Sequence, residues 1–246
     1  MPRFFVEKEA VRGEAVSLEG ENAYHITKAL RMRPGELIEV TSGEGDLFKV
    51  RLTKTTAQLV EGEIVGQEQD QAEPKTRIRL FQSILKGEKM DWVLQKGTEI
   101  GVYSFHPFVS ERTVVRKDVS AYEQKRTRWA RIVLEAAKQS GRGLIPSVEP
   151  VREVETLGAT LQGVTTFVAW EGEKTTSLKK ALQSLGKIEE VAVLIGPEGG
   201  FSATEVAQFA AWGVQRISLG PRILRAETVG PVLAALLLYH FDDLEP

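Results

Sequence analysis

Apolar and polar positions follow two different rhythms along the chain, and the change falls near residue 70. Up to about residue 66 the apolar residues alternate with polar ones in short runs, at 3–6, 15–18, 37–41, 47–53 and 58–65. Turn-forming pairs separate the runs: Arg12-Gly13, Pro34-Gly35 and the Gly43-Glu44-Gly45-Asp46 stretch. Period-two runs bounded by such residues predict strands. One short helix is predicted over 21–30, so the first part reads as a small β-barrel. The segment 66–75, GQEQDQAEPK, is polar, aperiodic and closed by a proline, as linkers are. This puts one domain at 1–70 and a second at 71–246.

Beyond the linker, strand-like runs alternate with helical spacing. Residues 77–85 read as a strand, and 88–100 carry Met90, Val93, Leu94, Gly97 and Ile100 on one helical face. A strand at 103–109 precedes a helix over 122–141, which places Trp129, Ile132, Val133, Ala136 and Ala137 together and stops at Gly141. A helix over 151–161, a strand at 165–170 and a helix at 177–185 follow. The apolar runs 191–195 and 214–219 then each end in a Gly-Pro pair, Gly196-Pro197 and Gly220-Pro221, before another helical pattern. Such alternation predicts an α/β fold with a mostly parallel sheet covered on both faces. The last helix, predicted over 229–241 behind a Thr228 cap, is apolar nearly all round. It must be buried on several sides, and a subunit interface is one way to do so.

Composition narrows the classes. The 246 residues include no cysteine and only three histidines, His25, His106 and His240, too far apart for a local ligand motif, so no metal is expected. No apolar run approaches the ~18 residues of a membrane span and no signal-peptide core follows Met1, from which a cytoplasmic location is expected. The net charge of −2 hides an uneven distribution: 9 basic against 13 acidic residues in 1–70, 15 against 8 in 71–142, and 8 against 13 in 143–246. The basic middle fits a polyanion partner or an exposed charge-laced helix, and both readings stay open. Within HITKALRMRPGE, His25, Lys28, Arg31 and Arg33 gather before a turn, where they fit either contact with a phosphate backbone or solvated charges on a helix end, and both readings stay open.

The two Gly-Pro loops are the first place to seek a site, because ligands of open α/β sheets bind outside the carboxyl ends of the strands. Neither loop has the glycine spacing of a dinucleotide fold or a P-loop. Ser202 followed by Glu205 forms a capping-box pattern, and there is no Gly-x-Ser-x-Gly elbow, so hydrolase chemistry has no support. The loops are suited to holding a small ligand through peptide groups, flanked by Arg222, Arg225 and Glu227.

The segments IGPEGGFSATE (195–205) and LGPRILRAETV (219–229) resemble the cofactor-binding motifs of SPOUT methyltransferases, and among them the RsmE family of 16S ribosomal RNA (uracil-N3)-methyltransferases. KGEKMDWVLQKGTEIGV (86–102), PFVSERTVV (107–115), EAAKQSGR (135–142) with Pro146, and the amino-terminal RFF and HITKALRMRPGE resemble the family in the same order, so nearly the whole chain is covered. The alanine usual after the Glu-Thr pair is Val229 here.

The resemblance implies an N-terminal PUA-like β-barrel and a SPOUT domain with a trefoil knot, acting as a homodimer on 16S rRNA of the small ribosomal subunit with S-adenosylmethionine as methyl donor. Cofactor contacts would come from Leu194, Ile195, Gly196, Glu198, Gly199, Gly200, Ser218, Leu219, Gly220, Ile223, Leu224 and Arg225. Arg225 is the first candidate for stabilising charge on the uracil, Arg222 the second, and Glu227 can orient either or act as base. Arg31, Arg33, Arg112, Arg116, Lys117, Arg126, Gln139 and Arg142 are expected to face RNA. A non-catalytic RNA-binding or ribosome-assembly factor is the alternative; it would bind RNA without affinity for the cofactor.

Overall fold

The structure is a computed structural model that describes residues 1–69, 72–114, 119–183 and 185–244. The chain divides into two compact units: 1–73 with 137–145, and 74–136 with 146–246. The first unit thus takes back a later segment, 137–145, which a linear reading at residue 70 leaves with the second.

In the first unit β1 (Arg3–Phe5), β2 (Val11–Arg12), β3 (Ala15–Glu19), β4 (Leu37–Thr41), β5 (Asp46–Thr55) and β6 (Leu59–Gln69) form one sheet in the order β1-β4-β5-β6-β3-β2. The β1–β4 pair is parallel and the other pairs are antiparallel. Alternation along the strands places Val16, Leu18, Ile38, Val40, Val50, Leu52 and Val60 in one core. The helix expected over 21–30 is α1 (Gly20–Tyr24) running into a π-helical turn, His25–Ala29. The segment 137–145 is fixed here by Arg142, only 3% exposed. Its guanidinium pairs with Glu73 (Nε to Oε1 3.1 Å, Nη2 to Oε2 2.6 Å), and Glu73 Oε1 also accepts the N–H groups of Gly143 and Leu144.

The second unit is built on a sheet of β7 (Arg77–Ser83), β8 (Ser104–Val109), β9 (Ser147–Val148), β10 (Arg152–Glu153), β11 (Thr165–Ala169), β12 (Glu190–Ile195) and β13 (Gln215–Ile217). Its order is β10-β8-β7-β12-β11-β13, with β9 beside β8, and every pair is parallel. The helices are α2 (Lys89–Ile100), α3 (Glu123–Ser140, of which 137–140 belong to the first unit), α4 (Gly158–Leu161), α5 (Leu178–Gln183), α6 (Ala203–Ala211) and α7 (Ala226–His240). Parallel strands need crossovers, which put helices on the sheet faces and leave the strands continuously apolar. Phe81, Val168, Ala192 and Leu194 pack with Leu157, Leu161, Val206 and Phe209 from α4, α6 and the turn before α4. On β7 the alternate residues Leu80 and Gln82 lie against α7, where Gly230 comes so close that a Cβ would stand 3.2 Å from Leu80.

Two helix expectations change. The 151–161 pattern is not one helix but β10, a 3-10 turn (Val154–Thr156) and α4. Val151, Val154, Leu157 and Leu161 are all buried, so the apolar spacing here marks burial and not the backbone that achieves it. The final helix begins at Ala226 with Arg225 in the cap position, and Thr228 lies inside the first turn, donating its N–H to Arg225 O at 2.8 Å. One face of this helix is buried in its own unit: Leu233, Ala234, Leu237 and Leu238 are fully covered. Leu236 and Tyr239 remain exposed, at 43% and 71%. No helix among the described residues is long and apolar enough to cross a membrane.

Candidate functional site

The neighbouring strands β12, β11 and β13, the last at the sheet edge, run in one direction, so their carboxyl ends bring three loops to one rim of the sheet. The loop after β12 turns tightly, with Gly200 N donating to Pro197 O at 2.9 Å, and ends in a complete capping box. Ser202 Oγ accepts from Glu205 N and Glu205 Oε2 accepts from Ser202 N, so the serine is a helix cap. The loop after β13 bends at Gly220 and enters α7 through Arg225. The loop after β11 is fixed by Glu173, whose carboxylate accepts Thr175 Oγ1 and the N–H groups of Thr175 and Thr176 and faces Arg216 at 3.7 Å. These contacts, the Thr175 hydroxyl foremost, hold its pKa down at about 2.

Between the loops lie a cavity of about 350 Å³ and a smaller one of about 100 Å³ that share Ala169, Trp170, Glu171, Ile223, Leu224 and Val229 in their walls. Of the positions expected to hold a cofactor, Ile195, Gly196, Glu198, Gly200 and Arg225 line the larger cavity. Ser218, Leu219 and Gly220 line the smaller, and Ile223 and Leu224 line both. Two positions do not line either: Leu194 is a fully buried core residue of β12, and Gly199 instead accepts Arg112 Nη1 on its carbonyl at 3.1 Å. Arg225 and Glu227 line the larger cavity and Arg222 the smaller.

Three wall residues are not among the positions expected to form the site, although Lys89 lies in the 86–102 segment. Trp170 and Glu171 become visible only once β11 is known to lie between β12 and β13. Lys89 comes from α2, more than a hundred positions before the loops. Its ammonium lies 3.0 Å from Glu198 Oε1 and 3.6 Å from Glu227 Oε2, bracing a carboxylate from each Gly-Pro loop. Glu227 Oε2 is buried with no hydrogen-bond partner among the described residues, which leaves Lys89 as its nearest countercharge. For Glu198, burial opposes the charge but is outweighed by its own N–H, Lys89 and the Lys86 N–H, so its carboxyl lies below the ordinary value. The Lys89 ammonium is held correspondingly above its own, chiefly by the Glu198 hydrogen bond.

The residues expected to face RNA divide by unit. Arg31 and Arg33 are exposed in the first unit, as is Gln139. Arg112 is exposed in the second, and Arg126 is half-buried and paired with Glu123. Arg142 is a correction: its guanidinium is withdrawn from solvent by Glu73 and serves the packing of 137–145. Arg116 and Lys117 lie outside the described residues.

Residues 72–238 match the RNA methyltransferase domain family, and residues 18–65 match the RNA methyltransferase PUA domain. The ribosomal RNA small subunit methyltransferase E of Bacillus subtilis is 31% identical over 252 residues, covering 99% of this chain and 98% of its own. The chain belongs to the ribosomal RNA small subunit methyltransferase E family. A methyltransferase E from Neisseria gonorrhoeae, solved bound to S-adenosyl methionine, superposes with a TM-score of 0.83 at 31% identity, covering 97% of both chains. A Legionella pneumophila protein solved with bound SAM gives a TM-score of 0.79 at 28% identity, again over 97% of both chains.

Proposed function

We propose that this methyltransferase E family member transfers a methyl group from S-adenosylmethionine to N3 of a uridine in 16S rRNA of the small ribosomal subunit. The observation that carries the reading is the convergence of both Gly-Pro loops, with Trp170 and Glu171, on one pair of adjoining cavities. The cavity fits the cofactor in size and charge. Its volume of about 350 Å³ lies in the range of small-molecule sites, and Glu171, Glu198 and Glu227 in its wall suit a cationic sulfonium.

When bound, S-adenosylmethionine supplies the methyl group. The chain's own part is positioning and charge stabilisation. The loops hold the ligand through peptide groups while Lys89 fixes Glu198 and Glu227. Uridine N3 must lose its proton before it can accept a methyl, and the resulting imide anion spreads onto O2 and O4. The Arg225 side chain is exposed at the cavity with no partner among the described residues, and is therefore available to stabilise that anion. Arg222 is placed at the smaller cavity for a supporting role, and Glu227 is the candidate to take up the N3 proton or to orient an arginine.

The same reading includes a PUA-like barrel as the fold of the first unit, a trefoil knot in the second, a cytoplasmic location, and a homodimer joined partly through the exposed stripe of α7. RNA would be met by Arg31, Arg33, Arg112, Arg126 and Gln139. The test is to incubate under-modified small subunits with labelled cofactor and analyse the nucleosides. Label in 3-methyluridine is expected; RNA binding with no cofactor affinity would instead identify a non-catalytic assembly factor.

A further inference from the structure

The turn that ends the π-helical segment of the first unit uses an arginine in a backbone conformation that is otherwise nearly always glycine's among the described residues. Twelve glycines adopt positive φ, whereas the non-glycine residues that do so among the described ones are Arg31, at +55°, and Asp242 near the carboxyl end. The left-handed conformation at Arg31 is what turns the chain back: Leu30 N donates to His25 O at 2.9 Å and Met32 N to Ile26 O at 3.0 Å. That closure is the usual task of a helix-ending glycine, which would perform it without the Cβ conflict an L-residue incurs. The side chain is therefore what the position retains at a conformational cost, and strain of this kind marks functional positions.

What surrounds Arg31 points to the ligand. Residues 22–35 contain Lys28, Arg31 and Arg33 but no carboxylate, within a region, 1–70, that carries 13 acidic residues. Elsewhere in this unit Lys8, Lys49, Lys54, Arg3 and Arg142 are each paired with a glutamate, while Arg12 and Arg51 stand singly, without a carboxylate partner among the described residues. Lys28, Arg31 and Arg33 have no side-chain partner among the described residues, and all three are exposed. Beside them Tyr24 stands 60% exposed, with Leu30 at 42%. Unpaired cations along a turn with an open aromatic ring are the elements of a single-strand site: cations track the backbone while a base stacks on the ring.

We propose that the 24–33 turn is a single-stranded RNA grip, in which Tyr24 stacks an unpaired base and Arg31, fixed by its left-handed backbone, meets a phosphate beside Lys28 and Arg33. This deepens the rRNA reading of the enzyme, since it names the form of RNA the first unit takes.

The experiment measures binding of the full chain to a uridine-rich single-stranded RNA oligonucleotide, and to the same strand in a duplex, across a salt series. The wild type should prefer the single strand. Arg31→Gly should hold or raise the melting temperature while weakening binding and lowering the salt slope by roughly one. Tyr24→Ala should weaken single-strand binding about tenfold without changing the salt slope, and Tyr24→Phe should restore it. Duplex preference in the wild type, or wild-type affinity and slope in Arg31→Gly, overturns the proposal; so does unchanged binding in Tyr24→Ala. Calorimetry with S-adenosylhomocysteine on the same variants should be unaltered. A wild type that binds the single strand but no cofactor would defeat the methyltransferase reading and leave the grip standing.

Discussion

Gly200 shows how narrowly single residues fix the site. It has φ of +66°, and a Cβ there would stand 2.9 Å from Glu171 Oε1 across the cavity wall. Gly200→Val meets a left-handed backbone that costs roughly 1–2 kcal/mol for an L-residue, and it must push the flexible Glu171 carboxylate from its place in the cavity wall. Calorimetry with S-adenosylhomocysteine is expected to show loss of binding in this variant, while the melting of the first unit stays unchanged. Arg225 tests the chemistry. Its guanidinium has no partner among the described residues, so Arg225→Ala should leave the fold intact and remove charge stabilisation worth about 2.7–4 kcal/mol, a fall of about a hundredfold to a thousandfold in single-turnover rate. A rate within a factor of two of wild type would take Arg225 off the catalytic list.

At the scale of elements, the site depends on loops held by their own hydrogen bonds. The α6 loop ends in a buried capping box, and the same Glu205 accepts Glu111 N at 3.0 Å, tying the loop after β8 to the start of α6. The loop after β11 is organised around Glu173, and that arrangement is pH-dependent. Its carboxyl is lowered from an ordinary 4.5 to about 2, so the stabilisation it gives is complete above about 4.5 and disappears as the pH falls toward 2. Glu173→Gln should therefore melt below the wild type near neutral pH, and the gap should close as the pH is lowered through that window. A constant gap across the window would mean that the carboxylate's charge does not hold the loop.

For the whole molecule, α7 links the second unit's core to the proposed assembly. Its inner residues, among them Leu233 and Leu237, are fully buried in the unit, so replacing them tests folding before it tests association. The outer stripe, with Leu236 and Tyr239, is the part available to a second copy, and fully burying a leucine stabilises by roughly 1.5–3 kcal/mol. Leu236→Glu is expected to give a folded monomer in solution scattering with reduced cofactor affinity, because α7 begins directly after the loop that carries Arg225. A fully active monomeric wild type would end the dimer reading.

Sequence alone determined what local rules can encode. Period-two runs marked the strands of the first unit, the alternation beyond residue 75 marked a parallel sheet, and two Gly-Pro pairs after apolar runs located the loops that line the cavities. At 151–161 the apolar spacing reflects burial of Val151, Val154, Leu157 and Leu161 but not the backbone, which is a strand and short turns where the pattern predicts one helix. Tertiary structure alone decided the rest. Lys89 joins Glu198 and Glu227, Trp170 and Glu171 enter the wall, and Arg142 turns inward to Glu73, each through a contact between distant parts of the chain. The sign of a charge can be read from a sequence, but whether it meets solvent, a carboxylate or a ligand depends on which strands become neighbours, and no local pattern encodes that.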